Sequence, residues 1–115
     1  MSTHGIRAYQ QTRQLTATGR QNDARLLRQL CFNLAQALEQ QDPFALNVAQ
    51  GDLRLAWLTI AGALQDPAHP YPAALKASLL ELSELVLAEL TLPQEQTDWQ
   101  LVQQCSAQLA AGLSD

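Results

Sequence analysis

The chain has little of what small proteins use for chemistry or for sheet. Aromatic residues make up 5% of its 115 positions and β-branched residues are sparse, so helix is the default expectation. Its two cysteines, Cys31 and Cys105, are too few for a disulfide framework. Each stands at an apolar position of a predicted helix, beside Leu27 and Leu34 and beside Leu101 and Leu109, and reads as a small buried hydrophobe. The two histidines, His4 and His69, lack a Cys, Asp or Glu partner at the spacing that builds a zinc site. There is no Gly-rich phosphate loop and no G-x-S-x-G turn. Glu81 and Glu84 share a helix face, but with no nucleophile or second acid set against them they read as a solvated edge. No enzymatic activity, metal or cofactor is expected.

Long apolar runs are missing too. The most apolar stretch, LLELSELVLAEL, is broken by Glu81, Glu84 and Glu89, and no basic segment followed by an apolar one opens the chain. Neither a signal peptide nor membrane insertion is expected, and the location implied is cytoplasmic.

What the sequence has in quantity is Leu, Ala and Gln, within a hydrophobic content of 47%. That content is enough for one core, and the length suits one domain. The net charge of -4 is unevenly spread. Residues 1–28 hold five Arg and one Asp, or +4, and residues 29–115 hold two basic and ten acidic residues, or -8. A basic arm on an acidic body suggests an interaction tail. The body itself argues against a broad nucleic-acid surface, which needs clustered cations to displace phosphate counterions.

The organising stretch is Asp52 to Leu79, DLRLAWLTIAGALQDPAHPYPAALKASL. Leu53, Trp57, Ile60, Ala61 and Leu64 recur at the spacing of one helix face. Asp66, Pro67, Pro70 and Pro72 stop that helix, since proline removes a donor and disfavours the α region in the residue before it. Pro72 suits the first turn of the next helix.

Around this stretch the reading is all-α: a single antiparallel bundle of about four helices over residues 19–115, preceded by a polar arm over residues 1–18. A T-x-x-Q capping box, Thr18 to Gln21, predicts a first helix over about 20–41, with Ala24, Leu27, Leu30, Cys31, Leu34 and Leu38 on one face. Asp42-Pro43 opens a second helix to about 65, with a weak point at Gly51. The third, about 72–91, carries Leu75, Leu79, Leu82 and Val86. A second T-x-x-Q box, Thr97 to Gln100, opens a fourth with Trp99, Val102, Cys105, Leu109 and Leu113 inward. Leu26 and Phe32 on the first helix, and Leu80 and Leu87 on the third, point away from the main stripes. With Tyr9 of the arm they form the expected partner-binding set.

From Trp57 onward the row WLTIAGALQDPAHPYPAALKASLLEL resembles the flagellar biosynthesis regulator family FlaF, typically W-x-x-L-x-x-D-x-x-D-P-x-N-x-L-P-x-x-L-R-A-x-L. Trp57, Asp66, Pro67, Pro72, Leu75, Lys76, Ala77 and Leu79 occupy matching positions. AYQQTRQLTATGRQNDARLL near the start and TDWQLVQQCSAQLAAGL at the end are similar to that family's two ends. His69 stands where the family has Asn, and Tyr71 where it has Leu before the second Pro. The opening AYQQ is also similar to the flagellin export chaperone FliS, but the D-P turn favours FlaF.

The resemblance implies a small helical cytoplasmic protein. It would engage the terminal amphipathic segments of flagellin before export, and promote flagellin synthesis opposite the translational repressor FlbT. The alternative function is post-transcriptional control through flagellin mRNA, directly or through a partner regulator. For direct RNA contact Arg7, Arg13, Arg20, Arg25 and Arg28 with Tyr9 would be the set, and the acidic body argues against it.

Overall fold

The computed structural model describes residues 17–114, with side chains described for residues 21–113. Four helices follow in order: α1 Ala17–Gln40, α2 Pro43–Leu64, α3 Ala73–Leu90 and α4 Trp99–Ser114, with a 3₁₀ turn at Gln94–Gln96 before the last. Each helix packs against two others, α1 and α3 both lying between α2 and α4. The section is therefore square, and the chain runs up, down, up and down around it, as the sequence pattern predicts.

The helix starts and stops follow from local chemistry. α1 begins about three residues before the expected start, so Thr18 lies within the helix rather than capping it. Ala17 is the strongest helix former available, and helix ends shift readily by a residue or two. The arm expected over residues 1–18 falls, up to residue 16, outside the described residues. At the other end of α1 the chain turns in two residues. Gln41 takes a left-handed φ of 53°, Gln41 N donates to Leu38 O and Asp42 N to Ala37 O, the Schellman pattern that ends helices. Asp42 then caps α2, its Oδ1 accepting from Phe44 N at 3.1 Å and Ala45 N at 3.2 Å, with Pro43 in the first turn as expected.

α2 ends in the turn that the Asp and prolines foretold. Asp66 Oδ1 accepts from Ala68 N at 2.9 Å, an Asx turn that Pro67 pre-sets, and Lys76 Nζ donates to Asp66 O at 3.3 Å. Pro67 and Pro72 are exposed, and Pro72 is the N-cap of α3 rather than a residue of its first turn. Its ψ of 149° is extended, so its carbonyl accepts the first helical bond, from Lys76 N at 3.0 Å, while its ring stays outside. His69 Nδ1 accepts from Tyr71 N, two residues on, at 3.3 Å. An Asn side-chain oxygen makes that same bond in an Asx turn, and here the ring nitrogen of His69 makes it.

The start of α4 departs from the expected capping box. Asp98 is the cap, its Oδ1 accepting from Leu101 N at 3.1 Å. The reach-back to Asp98 N comes from Glu89 Oε1 on α3, at 2.8 Å, and not from Gln100. Thr97 is buried instead, its hydroxyl donating to Pro93 O at 2.9 Å with the carbonyls of Leu92 and Glu89 at 3.3 Å. Gln50 of α2 clamps the same corner, donating from Nε2 to Leu90 O at 2.7 Å and to Leu92 O at 2.9 Å.

Trp57 fills the middle of the square. It is 1% exposed and lies in one cluster with Leu27, Leu34, Leu53, Val86, Leu90 and Val102. Its indole Nε1 donates to Ser106 Oγ at 3.0 Å, both groups buried, across the diagonal from α2 to α4. Cys105 is buried and Cys31 half-buried, and desolvation raises both thiol pKa values, so neither is a thiolate at neutral pH. Among the described residues no buried side-chain polar atom lacks a hydrogen-bond partner.

Stability should respond to substitutions at this centre and at the α1–α2 link. Ser106→Ala should cost about 1–3 kcal/mol by leaving the indole donor buried and unpaired, and Trp57→Ala about 3–5 kcal/mol. Denaturant unfolding of Trp57→Phe and the double variant with Ser106→Ala should show the two losses to be less than additive. Gln41→Gly should raise stability by up to about 1 kcal/mol, because glycine adopts the left-handed position without a Cβ clash.

Stability should also depend on pH. Desolvation first, then the nearby Lys76 cation, lowers the pKa of His69, with Asp66 opposing. The unfolded histidine therefore binds a proton at a higher pH than the folded one, and stability falls as pH drops from above 6.5 through the folded pKa. His69→Asn should flatten this part of the profile of melting temperature against pH. An unchanged slope would show that the folded protein does not hold the His69 pKa below its ordinary value.

Candidate functional site

Among the described residues no group of three or more His, Cys, Asp and Glu side chains converges to hold a metal ion. Eight large apolar side chains are exposed among the described residues, and four of them, Phe44, Val48, Leu55 and Leu58, belong to α2. They form one row. At about 100° per residue these positions fall within roughly 80° of arc, and Leu53, on the buried face, is half a turn away. Phe44 is 77% exposed and Leu55 65%. α2 is thus apolar on both its faces, and only one is used inside the bundle.

On its α1 side the row runs into a furrow of about 390 Å³ between α1 and α2. Leu26 and Leu30 form the α1 wall, and Leu55, Ala56, Thr59 and Ile60 the α2 wall, with Asp23 and Asp52 also lining it. A second hollow of about 450 Å³ opens at the end of the bundle where the Asp66 turn lies, lined by residues that include Ile60, His69, Tyr71, Leu79 and Leu113. The furrow is the better candidate because it continues into the exposed row. In the end hollow His69 and Tyr71 meet edge to face, with ring centroids 4.5 Å apart.

The residues expected to bind a partner are only partly brought together. Leu26 is 53% exposed and sits in the furrow opposite Leu55. Phe32 is equally open, yet it lies about 240° further round α1, on the side away from the core. Leu80 is half-buried, and Leu87 packs against the core cluster. These two do not extend the furrow. Tyr9 lies outside the described residues. Trp57, Asp66, Pro67 and Pro72 act structurally, as the centre of the core and the frame of the α2–α3 turn.

Helical spacing about Trp57 singles out the inner face of α2 and leaves Phe44, Val48, Leu55 and Leu58 unassigned. A second signal was present in the alternation of Phe44, Val48, Leu55 and Leu58 at helical spacing on the opposite side. An exposed apolar row continuous with a furrow offers chiefly apolar area. Its chemistry is that of burying another apolar surface.

Among the described residues no helix is long and apolar enough to cross a membrane. No curated protein and no solved structure matches the chain. The sequence profile of the family described as flagellar protein FlaF matches residues 5–113. It therefore spans the D-P turn, all four helices to within a residue of the last, and much of the segment ahead of them, and the chain belongs to the FlaF family of flagellar proteins.

Proposed function

We propose that this protein binds flagellin in the cytoplasm as a secretion chaperone, without catalysis or cofactor, and through that binding promotes flagellin synthesis and export. Family membership supplies the flagellar context. The observation that carries the reading is the outward apolar row of α2 with its adjoining furrow. Flagellin termini, amphipathic and unordered before assembly, are the kind of segment such a surface would shield. The regulator FlbT is the natural second partner, since a chaperone occupied by flagellin can report flagellin supply to a translational repressor.

The test is co-elution of the purified protein with monomeric flagellin on a sizing column. Leu55→Asp with Leu58→Asp should abolish co-elution and leave the helical circular dichroism intact. Both side chains are exposed, so the pair should cost no more than about 1 kcal/mol in fold stability. If the unaltered protein ignores flagellin but binds its leader transcript below micromolar, with a steep salt dependence, direct control through RNA replaces this reading.

A further inference from the structure

The outward face of α2 has a finer pattern than exposed apolarity. Phe44, Val48, Gly51, Leu55, Leu58 and Gly62 follow one another at steps of four, three, four, three and four. That alternation is the seam of a coiled coil, in which each side chain is either a knob or the edge of a hole for a helix alongside. The two glycines have no explanation inside the chain. Neither has a positive φ, and a Cβ built on either meets nothing within 4 Å. Each nevertheless lies inside a helix, where glycine is less favourable than alanine. What they provide is depth, two gaps in an otherwise bulky row into which large side chains from outside can sink.

The flanks of the seam decide the occupant. On the α1 side Asp52 and Thr59 border it, and Asp52 and Asp23 line the furrow beside Leu26. Arg54 borders it on the other side. A second copy pairing in parallel would set Gly51 against Gly51 and leave holes. An antiparallel copy would match Phe44 with Gly62 and Leu55 with Gly51, but would bring Asp52 against Asp52 and Arg54 against Arg54 near the two-fold axis. It would also leave the furrow and Leu26 uncovered. A single foreign helix meets none of these objections. It can lean into the furrow and set basic residues against Asp52.

We infer that the seam of α2 seats one amphipathic α-helix of a partner, bound as a coiled-coil strand. Bulky apolar residues enter at Gly51 and Gly62, and a Lys- or Arg-bearing edge faces the α1 side. This rests on the flagellin reading for the partner's identity, not for its form: if flagellin binds, the bound segment does so as this helix.

The experiment uses the full chain and two probes, monomeric flagellin and a synthetic 22-residue helix (a length of about three heptads) with Leu at the same alternating steps and Lys along one edge. A Glu-edged version of the peptide is the control. Gly51→Leu, which fills the gap, should melt no lower than the unaltered protein yet weaken both probes at least about tenfold, as overfilling a contact does. The Lys-edged peptide should bind about threefold more tightly than the Glu-edged one, with the order reversed in Asp52→Lys.

Flagellin binding that Gly51→Leu and Gly62→Leu leave unchanged would overturn the seam and spare the chaperone reading. Peptide binding with these sensitivities, but no flagellin binding, would support the seam and remove flagellin as its occupant. Failure of both probes would overturn both, as would a concentration-dependent dimer of the free protein that Leu55→Asp dissolves, since the seam would then belong to a second copy.

Discussion

The hydrogen bond from the Trp57 indole to the Ser106 hydroxyl, buried at the crossing of two diagonal helices, is the constraint on which the rest of the bundle is arranged. In a square of four helices the neighbours meet along the sides and the centre must be filled by whatever reaches across. With so few aromatic residues in the chain, one indole does this. α4 must then offer a residue that is small, so that the ring fits, and polar, so that the ring nitrogen is not left without an acceptor in a dry interior. Ser106 meets both demands, flanked by the small residues Cys105 and Ala110 of the same cluster. Once the inner face of α2 is committed in this way, its outer face cannot be turned inward to hide its own apolar residues.

The fold was legible in the sequence to the extent that it depends on period and punctuation. Leu27, Leu30 and Leu34 on α1, and Val102, Cys105 and Leu109 on α4, are where helical spacing put them. Pro43 and the Asp66-Pro67 turn bound their helices as the chemistry of proline and aspartate requires. Less legible were the places where a side chain had two suitable tasks. Thr97 can cap a helix or satisfy a buried loop, and Asp98 was free to take the first task. Glu89, nine residues earlier, provides the reach-back that a local motif assigns to Gln100. Such substitutions depend on three-dimensional proximity, which spacing along one helix does not encode.

The candidate surface was harder to read, for a related reason. Periodicity tells which residues share a face, and not which of two apolar faces the bundle will use. On α3 the side bearing Leu87 is consumed by the core. On α2 the side bearing Phe44 and Leu55 is left outside. Leu26 is legible because α1 has a clear polar side against which it stands out. Family membership sets this surface in a flagellar context, but it was the placement of α1 beside α2 that joined Leu26 to the row.

The two-residue link between α1 and α2 has a consequence for how this surface can change. Gln41 closes one helix and Asp42 opens the next, so the link contains no slack. Each residue added to or removed from a helix rotates everything beyond it by about 100°. A single insertion between Asp42 and Phe44 would therefore carry the outward row round towards a neighbouring helix and swing Trp57 out of the centre at the same time. The eight-residue connections at 65–72 and 91–98 can take up such changes locally, whereas this corner cannot. The angular phase of α2 is in effect counted from Asp42, which ties the indexing of the outer surface to that of the core. Variation in the face this protein presents must come by replacing side chains in place, never by shifting the frame.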